Sequence, residues 1–149
     1  MAVQPIPDGF HTVTPYLVVD NAGKVIEFLK KAFGAQETHR SKRPDGGIMH
    51  AQVKIGDSMI MLADATKEHK ATPCSIYFYV KDTDAWYNQA IKAGATSIMP
   101  PANMFYGDRN AGVKDASGMQ WWIGTHIEDF SVEELEKRAA AAMKQPQRS

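Results

Sequence analysis

The spacing of apolar residues changes period several times along this chain, and each change marks an element. His11–Val19 alternates apolar and polar positions and predicts a strand. From Asn21 the period lengthens. Val25, Ile26, Leu29, Ala32 and Phe33 recur on one face of a helix over Ala22–Phe33, capped by Asn21 and stopped by Gly34. Gln36–Lys42 reads as a strand, and "RPDGG" at residues 43–47 has the composition of a hairpin turn. Ile48–Ile55 and Ser58–Asp64 are two more strands, joined at Gly56-Asp57. Residues 65–73 form a polar linker.

The succession then starts again. Ser75–Val80 predicts a strand, and Asp82 caps a helix whose inward stripe is Trp86, Tyr87, Ala90, Ile91 and Ala93. Gly94-Ala95 ends that helix. A short strand at Thr96–Met99, a long loop at Pro100–Asp108 and strands near Arg109–Asp115 and Met119–Thr125 follow. Thr14 to Asn21 matches Ser75 to Asp82 at one constant offset, and Gly56-Asp57 falls opposite Ser117-Gly118 at that same offset. A fixed offset across strand, cap, helix and turn points to duplication of a βαβββ unit. Residues 1–9 read as an irregular arm. Ser131-Val-Glu-Glu134 is a capping box opening a C-terminal helix with an apolar stripe of Val132, Leu135, Ala139 and Met143, after which Gln145–Ser149 should fray. The expectation is α+β: one domain, 1–149, of two tandem βαβββ modules (10–65 and 74–126) forming a curved mixed sheet around a cleft, plus a C-terminal helix at 130–145.

Alternation also assigns faces. Pro15, Leu17 and Val19; Met49, Ala51, Val53 and Ile55; Ile60 and Leu62; Ile76, Phe78 and Val80; and Trp121 with Ile123 are placed under the helices. The opposite face then carries Thr14, Tyr16, His50, Gln52, Met59, Met61, Ser75, Tyr77, Tyr79, Gln120 and Trp122. This set is too aromatic to be freely solvated and too polar for a plain core. It suits either a small-molecule cleft or a face packed on another surface.

Composition narrows the function classes. Lys plus Arg and Asp plus Glu each number 17, so the net charge is zero, and no basic footprint for nucleic acid or an anionic membrane is expected. The N-terminus lacks the pattern of a signal peptide, and no apolar run is long enough to span a bilayer. The single cysteine, Cys74, cannot form an intrachain disulfide. Together these give a cytoplasmic expectation.

The stretches "TPYLVVDNAGKVIEFLKKAFGA", "DGGIMHAQVKIGDSMIMLAD", "SIYFYVKDTDAWYNQAIKAGA", "FYGDRNAGVKDASG" and "GTHIEDFSVEELEKRAAAAM" resemble the glyoxalase / bleomycin-resistance / extradiol-dioxygenase (vicinal oxygen chelate) superfamily, and within it the PhnB-like branch. They cover most of residues 11–143. The resemblance implies paired βαβββ modules and, in metal-dependent members, four strand positions holding one divalent ion. Carried over, those positions fall on Thr14, Met61, Ser75 and Trp122. Thioether, indole and two neutral hydroxyls do not make such a site, so no metal or other cofactor is expected. The turn Asp115-Ala-Ser-Gly-Met119 also lacks the histidine common in that branch. The resemblance further implies a homodimer in which each cleft either takes strands from both chains or lies beside the other chain's.

What chemistry remains is sparse. His50 is the candidate acid or base, with Gln52 beside it, but no carboxylate partner is evident. Arg109, with Tyr106 in a loop expected to rim the cleft, can meet an anion or, alternatively, pair with Asp108 or Asp115. Tyr16, Tyr77, Tyr79, Tyr106 and Trp122 can stack on a flat or cationic ligand, with Met59 and Met61 as an adaptable wall. Three readings compete: a metal-free small-molecule binder, a lyase or isomerase using His50, and a face buried by a partner.

Overall fold

The computed structural model describes residues 2–144; Gln145–Ser149, expected to fray, and the last residue of the expected C-terminal helix span lie outside them. The first module runs β1 (Tyr16–Val19), α1 (Ala22–Phe33), β2 (Gln36–Lys42), β3 (Ile48–Ile55), β4 (Ser58–Asp64). The second runs β5 (Ser75–Tyr79), α2 (Thr83–Lys92), β6 (Thr96–Asn103), β7 (Asp108–Lys114), β8 (Gln120–His126), and α3 (Val132–Met143) follows. The α+β expectation holds, as two four-stranded mixed sheets in the orders β1-β4-β3-β2 and β5-β8-β7-β6.

The duplication extends to register. Tyr16 lies opposite Met61 in the parallel pair β1–β4, and Tyr77 opposite Trp122 in the parallel pair β5–β8, at the same sequence offset. Both helices start alike: Asn21 accepts from the Lys24 N–H at 3.1 Å and Asp82 from the Ala85 N–H at 3.0 Å. Both stop alike, with Gly34 (φ 66°) and Gly94 (φ 106°) in the left-handed region and the following Ala35 and Ala95 N–H groups turned back onto Leu29 and Ala90 carbonyls. Asp64, at the end of β4, ties α1 to its sheet: its carboxylate accepts from the backbone N–H of Ala22 at 2.7 Å and of Ile48 at 2.6 Å.

One core serves both modules. The helix-covered faces turn toward each other with α1 and α2 between them. Phe33, at the end of α1, stacks on Trp86 and meets Phe78 edge-on at 5.0 Å, while Phe78 stacks on Trp121 at 5.5 Å. The Gln89 amide donates to the Lys31 carbonyl across the two helices. The other face of each sheet therefore looks away from this core.

Four sequence expectations are corrected. β1 begins at Tyr16 rather than His11, and the chain before it runs outside the strand, with Pro15 offering no N–H to a ladder. Met49 is 54% exposed and Ile48 buried instead, because a bulge opposite Ser41 and Lys42 shifts the parity of β3 at its start. The expected loop from Pro100 is in part strand: β6 continues through Pro100 and Pro101 to Asn103. It can do so because it is an edge strand with two irregularities, where prolines are tolerated. In α2, Ile91 lies half out of the inward stripe.

The C-terminal helix begins as expected. Ser131 Oγ accepts from the Glu134 N–H at 3.2 Å. The Glu134 carboxylate does not close the reciprocal half of the box; it accepts from Arg138 Nε at 3.0 Å, and the Arg138 guanidinium sits 3.9 Å over the Phe130 ring. No α3 residue is buried.

Candidate functional site

The outward face of the first sheet follows from the strand registers. Tyr16, Met61, Gln52 and His39 stand in one row across β1, β4, β3 and β2. The Tyr16 hydroxyl meets His50 Nδ1 at 3.2 Å, and His50 Nε2 meets the Gln52 amide at 3.2 Å. His39 bonds to Ser41 at 2.8 Å, its ring 6.2 Å from that of His50. Met59 is nearly buried, and Thr14 donates to the His11 carbonyl at 3.4 Å. His50 is thus oriented by a phenol and an amide, with no carboxylate beside it.

The second sheet carries a denser array. Ser75 donates to Gln120 at 3.2 Å. Tyr77, Trp122 and Gly112 form the next row, and the Trp122 ring lies on Gly112: a Cβ there would fall 2.6 Å from indole Cζ3. Tyr79, Gly124 and Asn110 form the row after, where the Tyr77 phenol passes over Gly124 in space that only a missing side chain leaves. Both glycines are seats for aromatic rings.

The Tyr77 and Tyr79 hydroxyls converge on Asp108, which is 3% exposed. Tyr77 and Tyr79 hydroxyls donate to its Oδ2 at 2.9 and 3.0 Å, and His126 Nδ1 lies 2.9 Å from Oδ1. His126 Nε2 reaches Asp129 at 2.7 Å. Hydrogen bonding to Asp129 first and Asp108 second raises the His126 pKa, favouring imidazolium above the ordinary imidazole range. Burial pushes Asp108 upward, but the bonds from His126, Tyr77 and Tyr79 outweigh it and hold the carboxyl below its usual range. Burial and then the Asp108 bond raise Tyr77; the Asp108 bond raises Tyr79. The pair is therefore stabilising in the window between the lowered acid and the raised imidazole. Its contribution fades as pH falls through the first or rises through the second.

Sequence reasoning missed this cluster by one residue on each side. It began β7 at Arg109 and ended β8 at Thr125, whereas Asp108 and His126, just outside those limits, face each other as the first pair of that ladder. Carrying the parity of Trp122 and Gly124 one step further finds His126. Arg109 departs from expectation for the same reason: it alternates onto the helix side. Its guanidinium grips Asp84 of α2 through Nε (2.6 Å) and Nη2 (2.9 Å), and Nη1 bonds to Asn103. That fork is spent within the fold. Tyr106 does reach the outer face, accepting from the Asn110 amide at 3.0 Å.

The structure thus places Tyr16, His50, Gln52, Met59 and Met61 on one sheet, with Thr14 just ahead of β1, and Ser75, Tyr77, Tyr79, Gln120 and Trp122 on the other, with Tyr106 in the turn before β7. It does not bring the two groups together within a chain. An open groove of about 710 Å³ between the start of α1 and the β7–β8 turn is lined by none of them. A smaller one of about 550 Å³, where the β3–β4 turn meets β5, is lined by Tyr77 and Tyr79.

The family model for the glyoxalase/bleomycin resistance protein/dioxygenase superfamily matches residues 9–123. The chain belongs to this superfamily. Uncharacterized proteins of Mycobacterium bovis and Mycobacterium tuberculosis are 33% identical to it over 135 residues, covering 83% of this chain and 89% and 79% of theirs. Among solved structures it resembles TioX from a Micromonospora species (TM-score 0.67, 21% identity, 78% of this chain and 99% of that one). It also resembles a PhnB protein of Bacillus cereus described as a putative 3-demethylubiquinone-9 3-methyltransferase (TM-score 0.62, 16% identity, 77% and 99%). At such identities the likeness is one of fold.

The divalent ion of the superfamily's metal-dependent members does not fit here. Met61 lies on one sheet with Thr14 just ahead of its β1, Ser75 and Trp122 lie on the other, and their donors are two hydroxyls, a thioether and an indole already seated on Gly112. Among the described residues no three His, Cys, Asp or Glu side chains are grouped to hold a metal. No described helix is long and apolar enough to cross a membrane.

Proposed function

We propose that this protein binds a small organic molecule on its outward sheet faces, without the metal used by other members of its superfamily, and that two copies pair to enclose it. The observation that carries the reading is Trp122. Its indole lies flat over Gly112, at the position where metal-dependent relatives are expected to place an acidic ligand, and it makes a stacking floor beside Tyr77. Tyr16 at 50% exposed, Tyr77 at 41% and Tyr79 at 69% are too large an aromatic surface to leave to water when a second copy can cover it. Because the two faces of one chain diverge from a shared core, a cleft uses the first sheet of one protomer against the second sheet of the other, in a closed two-fold pair. His50 serves as a polar wall of that cleft.

The test is fluorescence quenching by a cationic acridine dye in chelator-treated protein. Quenching that saturates without added metal, and weakens in Trp122→Phe, is the expected result. Binding that appears only with a stoichiometric divalent ion contradicts the proposal.

A further inference from the structure

Hydrogen-bond bookkeeping on the second sheet restricts what its outward face can accept. An ionised carboxylate has no hydrogen to give, so every bond to Asp108 is donated to it. Tyr77 and Tyr79 each own one hydroxyl hydrogen, and both hydrogens point inward at Oδ2, at 2.9 and 3.0 Å. What the two phenols turn outward is lone pairs. Asn110, 5% exposed and in register with Tyr79 through Gly124, lies beneath them and donates one of its two amide hydrogens to the Tyr106 oxygen.

The aromatic geometry selects in the same direction. The rings of Tyr77 and Tyr79 lie 5.2 Å apart, tilted by 52°, as two walls of an open V. Their faces carry negative quadrupole charge, and the Asp108 and Asp129 carboxylates flank the His126 imidazolium, which leaves the group behind the phenols with one net negative charge. A carboxylate or phosphate brought here meets lone pairs and π-faces. An ammonium meets complementary charge on both counts.

We propose that the Tyr77–Tyr79 surface is a subsite for the protonated amine of an aromatic or arylalkyl amine, its two phenols made into acceptors by Asp108 behind them. This rests on the reading that the sheet faces bind a small molecule, and it assigns the chemical class of that molecule. Asp108 acts here as a positioning residue: it touches no ligand and sets the direction of the two phenol hydrogens.

The experiment compares three probes of one size, benzylamine, benzyl alcohol and benzoate, titrated at neutral pH into the intact protein while the tyrosine and tryptophan NMR signals are followed. Benzylamine is expected to shift Tyr77, Tyr79 and Trp122, and benzoate to leave them in place. Tyr79→Phe, a change at an exposed hydroxyl that removes one charge-facing acceptor, is expected to weaken benzylamine about tenfold. Asp108→Asn, checked for folding by circular dichroism, is expected to free phenol hydrogens and narrow the gap between benzylamine and benzoate. Benzoate binding as tightly as benzylamine overturns the proposal, as does unchanged benzylamine affinity in Tyr79→Phe. If benzyl alcohol or benzoate binds at this face and benzylamine does not, the amine assignment falls and the cleft reading stands. If none of the three moves a signal on either sheet, both fall.

Discussion

Replacing Trp121 by alanine is expected to cost the fold about 3–5 kcal/mol, the range for emptying a large aromatic from a packed core. Trp121 is fully buried. It stacks on Phe78, leans on Phe33 from the other module, and donates its indole N–H to Asp115 at 2.9 Å. The substitution removes three supports at once: the ring volume, the contact that joins the modules, and a partner of the carboxylate that fixes the β7–β8 turn. That turn depends on Asp115 also accepting from the Ser117 and Met119 N–H groups. Urea unfolding measures the effect. A loss under about 1 kcal/mol, the scale of an exposed substitution, contradicts the shared-core architecture.

A valine at Gly112 is expected to displace the other tryptophan. The first added carbon already falls 2.6 Å from the Trp122 ring, and the ring is too stiff and too closely seated to yield by a few tenths of an ångström. Overpacking of this kind costs about 1–3 kcal/mol. The larger consequence is for binding: with its floor lifted, the stacking surface beside Tyr77 is lost, and affinity for the acridine dye should fall by at least about tenfold, the scale of one aromatic contact. Dye titration together with the Trp122 emission maximum reads both. Unchanged emission and unchanged affinity contradict the seat assigned to Trp122.

Much of this was written in the alternation of the chain. Leu17, Val19, Val53, Leu62, Trp121 and Ile123 fall under the helices as period two requires, and Asn21, Asp82 and Ser131 cap the helices they precede. What alternation alone cannot carry is a place where parity slips or where a ladder runs past its apolar residues. The bulge at the start of β3 exchanged Met49 for Ile48. The ladder between β7 and β8 continued into Asp108 and His126, polar residues that close a sheet through each other rather than through the core. Arg109 looked like a ligand-facing cation because a loop was expected where a strand begins, and one residue of strand turns it to Asp84. The same shift hid Asn110 and made the tyrosines look like free hydroxyls when both are committed to a buried acid.

The outward faces divide the aromatic and polar residues between two sheets. Tyr16 and His50 on one sheet and Tyr77, Tyr79 and Trp122 on the other are each half of a lining, separated by the helix layer that the duplication placed between them. In the proposed pair the two half-linings would become two complete clefts, so dimerisation and ligand binding would be one property.

The central claim, a metal-free ligand cleft made from both sheet faces, is tested most directly by mapping amide and aromatic NMR shifts of the chelator-treated protein as the acridine dye is added. Tyr16, His50 and Met61 from the first sheet and Tyr77, Tyr79 and Trp122 from the second are predicted to move together with one dissociation constant. Shifts confined to the groove between α1 and the β7–β8 turn, around Lys24, Arg40 and Ser117, would contradict it.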